Sequence, residues 1–142
     1  MKRFAATMVA AVLVGGCSAP IPAETPTPSE QAASGPRQAV TYGSLVSLRD
    51  AAIAAGYECP EWKQDNRAKL AAESGQCSDS DRFSTYVTES EVAEAVAGLK
   101  SFGIELSLLV GPNWLINTKD EYLDLLQVGL GGTIVRADEE ED

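Results

Sequence analysis

The chain has 142 residues, 44% of them hydrophobic and 6% aromatic, with 11 Lys plus Arg against 21 Asp plus Glu, no His and three Cys. That length suits one domain of ordinary size, and the composition is neither that of a wholly disordered chain nor that of a multi-span membrane protein. Without His there is no Ser-His or Cys-His nucleophile pair, no His-ligated zinc and no imidazole acid-base chemistry, and a net charge of −10 makes the chain a poor polyphosphate binder, so nucleic acid is not an expected partner.

Lys2 and Arg3 open the sequence, and residues 4–14 (FAATMVAAVLV) carry no charge. A basic start, a short apolar run and small residues after it describe an export signal, here residues 1–16. The run is too short for a spanning helix, which needs about 20 residues. Its end, Val14-Gly15-Gly16-Cys17, resembles the lipobox of bacterial lipoproteins. The resemblance implies a thioether diacylglycerol on Cys17, cleavage before it and often a further acyl chain, such as palmitate, on the new amino terminus. Two or more chains give stable anchoring where one gives marginal binding. The expected location is therefore the cell membrane, lipid-anchored and facing the extracytoplasmic side. An ordinary signal peptide, leaving a secreted protein, is the alternative.

Residues 17–39 follow as an expected tether. Pro20, Pro22, Pro26, Pro28 and Pro36 are five of the seven prolines in the chain, and such a stretch buries too little apolar area to offset its ordering entropy. A solvated, partly polyproline-II spacer is expected. Residues 138–142 (DEEED) are all acidic and are expected to be a solvated tail. Between them, residues 40–137 form the expected globular domain.

Within that domain Ser44 is placed to cap a helix over 45–55, with Leu45, Leu48, Ala52 and Ala55 on one face and Gly56 after it. Residues 65–73 (DNRAKLAAE) suggest a second, short helix. Residues 82–88 alternate and are rich in β-branched and aromatic residues, which predicts a strand. Thr88-x-x-Glu91 resembles a capping box opening a helix whose face is Val92, Ala95, Val96, Leu99 and Phe102. A strand over 104–110, a turn at Gly111-Pro112-Asn113 and a return strand from Trp114 come next. Thr118-x-x-Glu121 resembles a second capping box, before a helix with Tyr122, Leu125, Leu126 and Leu130, together with Leu123, on its face. Gly131-Gly132 stops it and residues 133–135 give a last strand. The class is α+β. From residue 82 the order β-α-β-β-α-β matches the ferredoxin-like arrangement, with both helices expected on one face of an antiparallel sheet.

Once Cys17 is committed to lipid, Cys59 and Cys77 remain, and two thiols exported to an oxidising compartment most often form a bridge. A redox pair is the competing reading, but the spacing is not C-x-x-C. Trp62 is expected to pack near the sulfurs.

Catalytic signals are sparse. Asp79-Ser80-Asp81 lacks the Gly and Glu of a calcium loop and suits a polar turn. Glu89, Glu91, Glu94 and Glu105 are the candidate acid-base carboxylates, though helix starts favour acids in any case. Gly129-x-Gly131-Gly132 ends a helix instead of opening one, unlike a nucleotide cradle. No S-x-x-K is present. The segments Gly111-Pro112-Asn113-Trp114 and Leu130-Gly131-Gly132, with the first helix and the cysteine pair, resemble a pattern in small exported lipoproteins of actinobacteria. The resemblance implies no enzyme activity and no cofactor. The expected function is a non-enzymatic binding or accessory module, held to the membrane by the lipid on Cys17, with a protein or small-molecule partner. A structural envelope protein or a regulator of a membrane protein is the alternative, and a carboxylate-dependent hydrolase a further one.

Overall fold

Ser44 stands in extended conformation before the first helix and its hydroxyl accepts from the Ser47 amide. The Glu73 carboxylate accepts from the Leu45 amide at 2.8 Å. Two free helical N–H groups are thus satisfied, one by an anion at the positive end of the helix dipole. The resulting α1 (Leu45–Ala54) buries Leu45, Leu48 and Ala52. This computed structural model describes residues 37–103 and 105–136. The export signal, Cys17, most of the expected tether and the acidic tail lie outside the described residues.

The chain continues through β1 (Lys63–Gln64), β2 (Glu73–Gln76), β3 (Arg82–Thr85), α2 (Glu89–Lys100), β4 (Ser107–Val110), β5 (Trp114–Asn117), α3 (Asp120–Leu130) and β6 (Thr133–Arg136). The fold is α+β, and one six-stranded antiparallel sheet runs in the order β1-β2-β3-β5-β4-β6. The bridge is present: Cys59 and Cys77 are joined, with Cα atoms 4.8 Å apart.

The order of elements from residue 82 is as expected, but the sheet is not ferredoxin-like. In that arrangement the last strand would lie beside β3. Here β6 lies outside β4, pairing Leu109 with Ile134. The steps from β3 to β4 and from β5 to β6 then run the same way across the sheet on strands of opposite direction. Right-handed crossovers of that kind put their helices on opposite faces. The core agrees. Phe83, Leu109, Trp114 and Ile116 pack with α1 and α3, through Leu123, Leu126 and Leu130. Leu108, Leu115 and Tyr86 pack on the other side with Val92, Ala95, Val96 and Leu99 of α2. The physical reason is in the strands: β4 and β5 offer apolar residues to both faces, so helices on one face alone would leave Leu108 and Leu115 in water.

Four local expectations also fail. Residues 65–72 contain no helix; Asn66 and Leu70 adopt φ of 51° and 67°, and the Asp65 and Asn66 amides both donate to the Ser74 carbonyl. Thr118 does not cap α3. Its hydroxyl donates to Asp81 Oδ1 at 2.9 Å, and Lys119 takes the N-cap position with no side-chain bond. Phe102 leaves the α2 core face and is 73% exposed, and Leu125 leaves that of α3, whose 3.6-residue turn buries Leu123, Leu126 and Leu130 instead. The Thr88–Glu91 box forms as expected, with both reciprocal bonds. Among the described residues no helix is long and apolar enough to cross a membrane.

Candidate functional site

Side chains alternate along β3, so Phe83 points to α1 and α3 while Arg82 and Ser84 face α2. The register sets Ser84 opposite Leu115 and Arg82 opposite Asn117. Helix α2 covers Leu108, Leu115 and Val135 but not the β3 half of this face. The uncovered part is a cleft of about 480 Å³. Its floor is Arg82, Ser84, Tyr86, Leu115 and Asn117; one wall is Ala95, Gly98 and Leu99 of α2 with Phe102 just after it, and the other is Ala68, Lys69 and Leu70. A largely apolar concavity of this size with a few polar groups is the usual form of a small-molecule site.

One polar group of the floor is held firmly by its neighbours. Arg82 donates to both carboxylate oxygens of Asp65, at 2.8 and 3.1 Å, and to Gln76 Oε1 at 2.9 Å. The guanidinium is thereby fixed in place, and the same contact holds the Asp65 carboxyl down at about 2. Burial raises the Tyr86 hydroxyl above its ordinary range, so it stays neutral. Lys69 is exposed and makes no ion pair among the described residues. Glu94 stands on the α2 rim.

A second recess lies over the bridge, lined by Glu58, Cys59, Pro60, Ser78, Asp81, Lys119 and Tyr122. Asp81 is only 6% exposed. It accepts from Ser78 Oγ at 2.7 Å, Thr118 Oγ1 at 2.9 Å and Ser80 Oγ at 3.5 Å. The expected polar turn at 79–81 is therefore a buried carboxylate that ties the 78–81 turn to the start of α3. Burial, and then the adjacent Asp81, push the Tyr57 hydroxyl well above the ordinary tyrosine range. That hydroxyl is buried without a bonding partner among the described residues.

The other residues singled out in the sequence are dispersed. Glu91 is spent on capping, accepting from the Val87 and Thr88 amides at 3.0 and 2.9 Å. Glu89 and Glu105 are exposed, and only Glu94 reaches the cleft. Among the described residues no cluster of three Cys, Asp or Glu could hold a metal ion. Trp62 meets Phe83 edge-on at 6.1 Å and takes the Arg49 guanidinium over its ring at 5.1 Å.

The two motifs behind the lipoprotein resemblance share one task. Residues 37–42, the first described, run along the domain. The Asn113 side-chain amide accepts from the Tyr42 N–H at 3.0 Å and donates to the Tyr42 carbonyl at 2.8 Å. Trp114 Nε1 donates to the Val40 carbonyl at 2.8 Å. Gly131, at φ 76°, lies so close that a Cβ there would overlap the Arg37 carbonyl oxygen. GPNW and LGG thus form the seat for the chain entering the domain.

No protein family, curated protein or solved structure was found to match the chain.

The cleft residues Arg82, Ser84, Tyr86 and Gly98 carry no motif. The strand alternation places Arg82, Ser84 and Tyr86 on one face. What no local pattern reveals is that the helix above would leave that face half open.

Proposed function

We propose that this protein is a lipid-anchored extracytoplasmic lipoprotein whose domain is a non-enzymatic module that captures a small molecule. The lipobox at Cys17, the proline-rich tether and the bridged cysteines support the location. The observation that carries the binding role is the cleft between α2 and residues 68–70. It is largely apolar and has a fixed guanidinium, Arg82, on its floor.

Two measurements test the reading. Cys17→Ser should move the protein from the membrane fraction to the soluble one; continued membrane retention would refute the anchor. Native mass spectrometry of wild-type protein released gently from membranes should show one bound small molecule per chain. A cleft that is always empty, together with one stoichiometric protein partner after crosslinking, would point instead to a structural or regulatory role.

A further inference from the structure

Gly98 sits in the last turn of α2 and lines the cleft. Glycine inside a helix costs up to about 1 kcal/mol relative to alanine. That cost is usually offset by a close packing contact. Here there is none: a Cβ at Gly98 would meet no atom within 4 Å. Among the described residues, then, no packing contact requires glycine at this position. What its missing side chain does is keep the α2 wall low over Ser84 and Leu115. Phe102 and Leu70, both exposed, border the same opening and would be shielded by an occupant.

The charges narrow the occupant. The chain as a whole carries −10, yet two cations, Arg82 and Lys69, line this opening. Arg82 is anchored from outside by Asp65, which does not line the cleft, and bonds among the described residues are made by its two terminal nitrogens but not by Nε. Lys69 has no ionic partner among the described residues. Asn117 adds a donor beside Arg82. Glu94 is the one acid on the rim. We infer that the cleft holds a small anionic amphiphile, its apolar body over Gly98 and Leu115 and its negative end at Arg82, Asn117 and Lys69. This inference rests on the binding role proposed above and names its ligand class.

A matched pair of probes separates the two claims. 1-Anilinonaphthalene-8-sulfonate carries the negative group and N-phenyl-1-naphthylamine is the same ring system without it. Each is titrated by fluorescence into the full-length Cys17→Ser protein, its Gly98→Leu form and its Lys69→Glu form. The expected result is one saturable site for the sulfonate, at least tenfold weakened by Gly98→Leu while the melting temperature holds or rises. The neutral probe should bind at least fivefold more weakly, and Lys69→Glu should erase most of that preference. Equal binding of both probes, still blocked by Gly98→Leu, would overturn the anionic class while leaving the binding role intact. Equal affinity in the parent and Gly98→Leu proteins would overturn both. Should Gly98→Leu lower the melting temperature, amide shifts in the parent protein decide: sulfonate-induced changes centred on Ser84, Tyr86 and Gly98 support the site, and changes elsewhere overturn it.

Discussion

Breaking the Cys59–Cys77 bridge should cost the domain much of its margin. The bridge spans 18 residues, and closing a loop of that length removes unfolded-state entropy equivalent to about 3 kcal/mol. No residue from 60 to 73 is buried, so the other restraints on this segment are strand pairing, the Asp65–Arg82 pair and the half-buried Trp62. For a domain of this size, 1 kcal/mol moves the melting temperature by about 5 °C, so full reduction should lower it by roughly 15 °C. The assay is a thermal melt followed by circular dichroism, with and without a phosphine reductant. The loop also carries Lys63, Arg67 and Lys69, so trypsin should nick the reduced protein there before the rest of the domain opens. A shift below about 3 °C, with unchanged cleavage, would refute the reasoning and mean that the β1–β2 pairing holds the segment by itself. Because residues 68–70 form a cleft wall, the same reduction should weaken cleft binding at temperatures where the fold survives.

Two further substitutions probe separate parts of the fold. Asp65→Asn removes the carboxylate whose proton affinity Arg82 depresses from 3.8 to about 2. A depressed carboxyl stabilises the fold above the unfolded value and loses that contribution as pH falls through the folded one. The parent should therefore be the more stable at pH 7, and the gap between urea melts of parent and variant should shrink steadily from about pH 4 down through pH 2; a gap as wide at pH 2 as at pH 7 would deny the ionic origin. Gly131→Ala forces a Cβ onto the Arg37 carbonyl at a left-handed φ, which should destabilise the domain by about 2 kcal/mol or more in denaturant melts. Chains lacking residues before 43 should tolerate the same change far better in that assay, since the clash partner is gone.

Much of this architecture was legible before any coordinates. Thr88 and Glu91 announce α2 because a capping box is local, needing only two side chains at fixed spacing. Thr118 and Glu121 show the same spacing and mislead, because the Thr118 hydroxyl is claimed by a buried carboxylate 37 residues away. Residues 65–73 have helix-forming composition, but pairing of β2 with β3 and the bridge to Cys59 decide their path, and tertiary context overrides weak local preference. The placement of β6 follows from burial on both faces. That signal was present in the unbroken apolar runs of β4 and β5, where one-sided sheets would alternate. The cleft was not legible at all. It is the space that α2 fails to cover, and a gap between elements has no signature in either one.

The seat formed by Asn113, Trp114 and Gly131 has a mechanical consequence. Whatever holds the chain upstream of residue 37, any pull on it arrives first at the bonds from Asn113 and Trp114 to residues 40 and 42. Trp114 is fully buried on β5, an inner strand of the sheet, so tension enters the domain through its inner strands. A chain mounted this way loads the middle of the sheet and leaves the bridged segment off the direct line of force.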